Sequence, residues 1–137
     1  CYPADAVFHE YENVGRLIVF KIGGGVTPLP PKRSHEQRPV LPDIKIKEEL
    51  IAKGTALYYQ YCETCHGIGA DGRHSLHPDL SMLPATKHQL FRDIVLGGVL
   101  AKNGMASFSN SLTEADVEAI QHYVLKKQSE LYNKHKD

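Results

Sequence analysis

The run Cys62-Glu63-Thr64-Cys65-His66, a C-x-x-C-H motif, constrains this chain more than any other feature of its sequence. Two cysteines one helical turn apart can each form a thioether with one of the two vinyl groups of a haem, and the histidine that follows then lies beneath the iron. The motif therefore predicts one covalently bound haem c, anchored by Cys62 and Cys65 and ligated on one side by His66.

A C-x-x-C pair also occurs in zinc sites and in dithiol redox sites. A structural zinc ion needs four protein ligands, and this sequence has no second cysteine pair, because Cys1 is the only other cysteine. A thioredoxin-like pair would lie between a strand and a helix, whereas this pair follows a helical pattern. A zinc or dithiol module without haem is therefore the weaker interpretation of the motif.

Length and charge narrow the range of functions. A chain of 137 residues with 42% apolar residues can form about one domain with a modest core, which a buried haem would enlarge. Its 16 basic residues balance 16 acidic ones, so the chain lacks the basic stripe that is typical of nucleic-acid binding. It has no run of 18 apolar residues, so we predict no transmembrane span.

The first residues, Cys1-Tyr2-Pro3-Ala4-Asp5, do not resemble a signal peptide, because they lack a basic region and an apolar core. We expect that a signal has been removed or that the chain is a piece of a longer protein. Cys1 could be the acylated terminus of a lipoprotein. The interpretation we favour is a fragment boundary that happens to fall at a cysteine.

The chain divides into three predicted segments: 1–25, 26–43 and 44–137. The first contains the β-prone run Leu17–Phe20, closed by three glycines. A lone strand leaves backbone groups unpaired, so we expect its sheet to lie in another domain or chain, with a short hairpin to residues 6–11 as the alternative. The second segment carries prolines at positions 28, 30, 31, 39 and 42 among polar residues, a composition typical of a semi-rigid linker.

The spacing of apolar residues predicts an all-α domain in the third segment. Its first helix runs from about Lys47 to Tyr61 and leads directly into the cysteine pair. Gly54 lies inside this helix, where a glycine costs about 1 kcal/mol relative to alanine. We therefore expect another helix to cross close to Gly54.

Two further helices are predicted. One begins at Thr86, whose spacing to Gln89 is typical of a capping box, and ends at Gly97-Gly98. The last begins at Thr113 and has acidic residues in its first turn, where they suit the helix dipole. The buried side of this last helix is predicted to consist of Val117, Ile120, Tyr123, Val124 and Leu131.

Residues 67–85 and 101–112 are predicted to form loops around the cofactor, and the second loop holds Met105. A methionine thioether binds haem iron and favours its ferrous state, which raises the reduction potential. Met105 is therefore the predicted second axial ligand, whereas Met82, the alternative, is expected to pack in the core. With both axial positions filled, no position is open for oxygen or peroxide, so the predicted function is electron transfer.

The other histidines lack paired metal-ligand spacing, and we expect each of them to be solvated rather than bound to iron. His77 and His88 would matter as ligands only if Met105 did not bind. The full set is His9, His35, His74, His77, His88, His122 and His135.

Over about residues 44–130 the sequence resembles class I cytochromes c. The four-residue spacings from Gly54 to Tyr58 and from Tyr58 to Cys62 are those of that family's first helix. Ile120 and Tyr123 match the facing positions of its last helix. Gly104-Met105 matches its methionine-ligand loop, although Ala106 stands where proline is more common, which implies a less rigid loop.

The resemblance implies roles for the residues around the haem. Pro78 follows His66 by twelve residues, and the family uses that proline's carbonyl to hold the second ring nitrogen of the ligating histidine. Leu80 is implied to pack on the haem. A wall that keeps water out tunes the reduction potential. The rest of this wall is implied to consist of Tyr58, Phe91 and Phe108.

A narrower resemblance covers the whole chain. Residues 4–7 and 15–24 look like the closing strand of a quinoprotein propeller. In type II quinohaemoprotein alcohol dehydrogenases a Pro-rich linker and a C-x-x-C-H domain follow that strand. The resemblance implies a periplasmic enzyme in which pyrroloquinoline quinone (PQQ), bound in an upstream propeller domain of the same or an adjacent chain, takes electrons from an alcohol. This haem domain, with no substrate chemistry of its own, would relay them to an external redox protein or quinone.

Two other functions stay open at this point. The chain could be a free-standing periplasmic cytochrome c, or a sensor or peroxidase with a five-coordinate haem. Binding of carbon monoxide to the reduced protein separates an open coordination site from a closed one.

Overall fold

The computed structural model describes residues 19–26, 28, 31, 38–72 and 77–134. The chain divides into two units, Cys1–Gln37 and Arg38–Asp137, and the division falls within the predicted linker. In the first unit Val19 and Phe20 are exposed and belong to no strand. The rest of the predicted strand, Leu17 and Ile18, and its alternative partner at residues 6–11 lie outside the described residues.

The second unit is helical, and the part of it that the structure describes contains no strand, which confirms the predicted all-α fold. In chain order its α-helices are α1 (Glu48–Tyr61), α2 (Glu63–His66), α3 (Ala85–Gln89), α4 (Phe91–Val95) and α5 (Glu114–Lys134). Short 3₁₀ turns lie between them, at Ile68–Ala70, Leu80–Met82 and Ala101–Asn103.

Helix α1 matches the first predicted helix and carries the C-x-x-C-H motif at its end. Glu48 and Glu49 lie in its first turn, where acidic side chains interact favourably with the helix dipole. At its C-terminus the backbone N–H of Cys62 donates to the carbonyl of Tyr58. Cys62 then begins the single turn of α2, which is closed by a 2.9 Å bond from the His66 N–H to the Cys62 carbonyl. The motif is thus a continuation of the long helix.

Helices α1 and α5 cross in backbone contact at Gly54, as predicted. A β-carbon on Gly54 would lie 2.0 Å from the carbonyl oxygen of Ala119 and 3.1 Å from the β-carbon of Tyr123. Tyr58, one turn further along α1, packs its ring 4.9 Å from that of Tyr123. This crossing forms the centre of a hydrophobic core that also contains Val117, Ile120 and Val124.

The start of α5 is fixed by reciprocal bonds between Thr113 and Asp116. The Thr113 backbone N–H donates to Oδ2 of Asp116 at 2.9 Å, and the Asp116 N–H donates to Oγ1 of Thr113 at 3.3 Å. This capping box confirms the predicted helix start. Lys53 of α1 forms an ion pair with the same Asp116 at 2.7 Å, and together these contacts hold the pKa of that carboxyl well below its usual range. The cap therefore also links α5 to α1.

The prediction of the second helix is wrong in detail, because the structure has two short helices, α3 and α4, in its place. Helix α3 begins after Pro84 rather than at Thr86, and no side chain caps it. Proline fixes its own φ and suits the start of a helix. The chain then leaves helical geometry at Leu90 (φ −98°, ψ 7°) before α4 begins. The predicted Thr86–Gln89 capping box is therefore absent.

Candidate haem site

His66 is buried, and one of its two ring nitrogens already has a partner. Its side chain is 7% exposed, and Nδ1 lies 2.9 Å from the carbonyl oxygen of Pro78. A carbonyl only accepts, so the Nδ1–H donates and the lone pair of Nε2 is left for a metal. Burial lowers the pKa of His66, an effect that the Pro78 bond opposes, so the ring keeps the neutral form that can ligate iron.

The Pro78 carbonyl is itself held by tight packing. A β-carbon on Gly72 would lie 3.0 Å from this oxygen and 2.7 Å from the α-carbon of Asp79. On the other side, Oδ1 of Asp79 accepts hydrogen bonds from the backbone N–H of Ser81 at 2.9 Å and from its hydroxyl at 2.6 Å. The acceptor of the His66 bond therefore belongs to a turn with little freedom to move.

The two motif cysteines differ in environment. Cys62 is half-buried and packs against the core, whereas Cys65 is exposed. Burial, with a smaller contribution from Cys65, raises the pKa of the Cys62 thiol to about 11. Dithiol redox sites depend on a lowered thiol pKa, because the thiolate is the nucleophile. The Cys62 environment has the opposite effect and disfavours the dithiol interpretation.

Met105 lies on a loop that is tied to α4. Gly104, with φ +92°, turns the chain before it, and the Met105 N–H donates to the Leu100 carbonyl at 3.2 Å. Three residues later the Phe108 N–H donates to the Val95 carbonyl at 2.8 Å. The Met105 side chain is half-buried and packs against the core. Met82, the alternative ligand, is half-buried in the 3₁₀ turn Leu80–Met82.

Several half-buried apolar side chains pack against the core, and we call this set the apolar shelf. It combines the anchor Cys62, the proposed ligand Met105 and the implied wall residues Leu80 and Phe108. Its members are Leu57, Tyr61, Cys62, Leu80, Leu83, Leu96, Met105 and Phe108. Exposed apolar area of this kind loses its contact with water when a flat apolar group covers it. Apolar side chains of this kind and the imidazole of His66 are the groups that would hold a haem.

Tyr58 and Phe91, which the resemblance implies as wall residues, are buried members of the core, with exposures of 0% and 5%. The Tyr58 hydroxyl donates to the carbonyl of Gly67 at 2.7 Å. Its pKa is raised mainly by burial, while the Ala70 backbone N–H acts on the same oxygen in the opposite direction. The Phe91 ring stacks on that of His88, with centroids 6.1 Å apart.

The prediction that every other histidine is solvated is wrong for His88 and His122, which are 3% and 4% exposed. Nε2 of His88 lies 2.7 Å from Oε1 of Gln128, a fully buried residue of α5. The amide nitrogen of Gln128 donates to the Leu83 carbonyl at 2.7 Å. Nδ1 of His122 accepts from the Lys47 N–H at 3.3 Å. These two rings therefore have structural partners.

Sequence reasoning missed the role of Gln128, although a signal was present. Gln128 follows Val124 by four residues and precedes Leu131 by three, so it lies on the apolar face of α5. A polar residue on such a face needs a buried partner. The sequence shows no spacing that would identify His88, forty positions earlier, as that partner.

The described residues bear on the zinc alternative and on the absence of a predicted membrane span. Among residues 38–72 and 77–134 and the few described before them, no group of three or more His, Cys, Asp or Glu side chains could hold a metal ion. The four-ligand zinc site considered above therefore has no donor cluster in this part of the chain. In the same described residues no helix is long and apolar enough to cross a membrane.

The chain is similar to a cytochrome family and to parts of two alcohol dehydrogenases. Residues 49–124 match the family model described as "Cytochrome C oxidase, cbb3-type, subunit III". The chain is 35% identical to the quinohemoprotein alcohol dehydrogenase ADH IIB of Pseudomonas putida, over 88% of this chain and 18% of that protein. It is 33% identical to the dehydrogenase subunit of the quinone alcohol dehydrogenase of Acetobacter aceti, over 91% of this chain and 17% of the relative.

Solved structures agree. The quinohemoprotein alcohol dehydrogenase ADHIIG from Pseudomonas putida HK5 superposes with a TM-score of 0.67 at 33% identity, over 82% of this chain and 16% of that one. The enzyme from Comamonas testosteroni shares the fold, with a TM-score of 0.61 at 24% identity over 74% of this chain and 15% of that one. The chain thus spans less than a fifth of the length of the relatives it matches. These matches confirm the resemblance found in the sequence. Because the family model covers more than half of the chain, the chain belongs to that family and is a cytochrome c domain whose cofactor is haem c.

Proposed function

We propose that this domain carries single electrons on a haem joined to Cys62 and Cys65 and ligated by His66 and Met105. The observation that carries the proposal is the 2.9 Å contact between Nδ1 of buried His66 and the Pro78 carbonyl. It commits one ring nitrogen and leaves the other for iron. Hydrogen bonding of this kind fixes the orientation of a ligating histidine and raises its basicity.

The residues of the shelf would keep the site closed. A bound haem would supply an iron that changes between the ferric and ferrous states, and His66, Met105 and the apolar shelf would hold it. Phe108 and Tyr61, which belong to the shelf, pack edge to face with ring centroids 6.1 Å apart. Such a cover lowers the local polarity, which with a thioether ligand favours the reduced state. A site filled on both sides moves electrons and leaves no position for oxygen.

We further propose that the electrons come from PQQ in an upstream propeller domain, in the same or an adjacent chain, and leave to an external redox protein or quinone. Support comes from the relatives named above, which are alcohol dehydrogenases of the quinone or quinohemoprotein type. Each relative is several times longer than this chain. A periplasmic location is part of the same proposal, since covalent haem and an external acceptor suit that compartment.

The relay is tested in the protein that contains both this domain and the proposed propeller domain, in one chain or two, loaded with haem and PQQ. Under anaerobic conditions, an added alcohol should reduce the haem, as followed by its visible absorption, and an external acceptor should then reoxidise it. A haem that stays ferric while the quinone is reduced through several turnovers contradicts the relay. Carbon monoxide added to the ferrous protein should bind slowly or not at all. Rapid, stoichiometric uptake would instead support a five-coordinate sensor.

A further inference from the structure

We propose that Tyr58 is a positioning residue for the axial histidine, acting through its hydroxyl on the turn that follows His66. The inference rests on the proposed ligation of iron by His66 and deepens it. It connects the helix crossing to the ligand through a series of short contacts: Tyr58 to Gly67, the turn from Gly67 to Gly72, and Gly72 to Pro78.

The first contact is the 2.7 Å hydrogen bond from the Tyr58 hydroxyl to the Gly67 carbonyl. Gly67 directly follows His66 and has φ +82°, in the region that favours glycine. A β-carbon there would lie 2.2 Å from the Asp71 carbonyl oxygen. The backbone just after the ligand is therefore held by a side chain on one side and packed against the chain's own backbone on the other.

The second step is the turn itself. Gly69 has φ +70°, and Ala70, which is fully buried, has φ +65°, an unfavourable conformation for a residue with a β-carbon. Such a conformation persists only where the surroundings enforce it. The Tyr58 hydroxyl bond to the Gly67 carbonyl is therefore made at the start of a turn whose backbone conformation is enforced by its surroundings.

The third step reaches the ligand. Gly72 lies so close to the Pro78–Asp79 peptide that a β-carbon on it would be 3.0 Å from the Pro78 oxygen. That oxygen accepts the Nδ1–H of His66 at 2.9 Å. A shift of the turn would therefore move the acceptor of the histidine bond.

The hydroxyl is not needed for packing at the helix crossing. The Tyr58 ring, fully buried, already contacts the Tyr123 ring at 4.9 Å, and a phenylalanine ring would make the same contact. Burying a hydroxyl is unfavourable unless it is hydrogen-bonded. Here the hydroxyl is hydrogen-bonded to the turn after His66, and this bond distinguishes Tyr58 from a residue that only packs in the core.

The consequence is a change in the iron's electronic environment. A firm Nδ1–H···O bond increases the basicity of the ligating nitrogen, which favours the ferric state. Loosening the Pro78 carbonyl weakens this effect and raises the reduction potential. The test compares Tyr58→Phe with Tyr59→Phe, a half-exposed tyrosine on the same helix, in the chain with haem attached.

At a fixed ambient potential, we expect Tyr58→Phe to increase the ratio of reduced to oxidised haem roughly threefold. This corresponds to a rise in reduction potential of about 28 mV, since a tenfold change in the ratio of a one-electron couple is about 59 mV. Solvent exchange of the His66 Nδ1–H, measured by NMR, should be several-fold faster. Tyr59→Phe should change neither quantity. A Tyr58→Phe protein that is less stable but has an unchanged potential and exchange rate overturns the inference, because the hydroxyl would then be merely structural.

If Tyr58→Phe does not accumulate with haem, Gly72→Ala tests the same series of contacts from its other end. Its added methyl group meets the Pro78–Asp79 backbone and should raise the potential in the same direction. An unchanged potential in Gly72→Ala overturns the inference. Wild-type protein without covalent haem would contradict the proposed function and this inference together, whereas normal wild-type haem with unresponsive variants contradicts the inference alone.

Discussion

Gly54 and Ala119 bring the first and last long helices of the second unit into backbone contact. A β-carbon on Gly54 would lie 2.0 Å from the Ala119 carbonyl oxygen and 2.7 Å from its carbonyl carbon. The helix that this contact fixes runs on into Cys62, so the placement of the haem-attachment motif depends on the crossing. Tyr58 and Tyr123 pack beside the contact and extend it towards the turn after His66.

Replacing Gly54 by alanine should destabilise the protein. Alanine gains about 1 kcal/mol in helix propensity, but the overlap with Ala119 forces the helices apart at a cost of about 3 kcal/mol. We expect a net loss of about 2 kcal/mol in the free energy of unfolding, measured by urea denaturation. Gly25→Ala is the matched control, because nothing lies within 4 Å of a β-carbon at that position. Equal stability of the two variants would contradict the close crossing.

This part of the fold could be predicted from the sequence because its signals are local. The apolar spacing of α1 and the Thr113 cap of α5 each depend on residues within one or two turns. Gly54 predicted a close helix crossing because a glycine inside a helix is unfavourable unless the missing side chain allows another helix to approach. The break at Leu90 could not be predicted, since Thr86 and Gln89 offered a plausible cap and only tertiary packing selects the start after Pro84.

The stability of the protein should fall as the pH falls below about 6.5. Burial lowers the pKa of His88, and that of His122 is lowered as well, first by burial and then by Lys47. Each ring stays neutral in the folded state, whereas in the unfolded chain it takes up a proton at about pH 6.5. The free energy of unfolding that each neutral ring contributes is therefore fully present above that pH. Below it, this free energy falls by at most about 1.4 kcal/mol per pH unit for each ring.

His88→Gln isolates one of these contributions, because an amide can still donate to Gln128 but does not titrate. Free energies of unfolding from urea titrations at neutral pH and at mildly acidic pH should fall less steeply in the variant than in the wild type. Parallel pH profiles would show that His88 does not stay neutral in the fold.

Gln128→Leu should cost about 3 kcal/mol, although leucine is apolar and of similar size. The change leaves the His88 Nε2–H and the Leu83 carbonyl without the partners they have at 2.7 Å, and each buried unpaired group costs about 1–3 kcal/mol. Gln121→Leu is the comparison variant and should cost less, because Gln121 is only half-buried and its amide nitrogen donates to the His88 carbonyl at 2.7 Å. A Gln128→Leu protein as stable as the wild type would contradict this assignment.

The residues that would bind the haem could be predicted from the sequence, but the hydrogen bonds that position them could not. Cys62, Cys65 and His66 are adjacent in the sequence, and their spacing alone identifies haem attachment. The hydroxyl bond from Tyr58 to Gly67 has no comparable signal, because phenylalanine and tyrosine fit the same helical pattern. Contacts between side chains and distant backbone atoms depend on the folded geometry.

Met105→Ala should lower the reduction potential and open a coordination position. If Met105 is the ligand that we propose, loss of its thioether removes a donor that favours ferrous iron, and carbon monoxide should then bind the reduced protein rapidly. Met82→Ala is the matched control and should leave both properties unchanged. The opposite result, with an effect at Met82 and none at Met105, would reassign the ligand.

The most direct test of the account is the intact mass of the purified protein after acid–acetone extraction, together with its absorption spectrum. Protein made in cells that attach haem to C-x-x-C-H motifs should remain coloured and be heavier than the polypeptide by one haem. Cys62→Ala combined with Cys65→Ala should lose its colour on extraction. A wild-type protein that emerges colourless, with the mass of the polypeptide alone, would contradict the account.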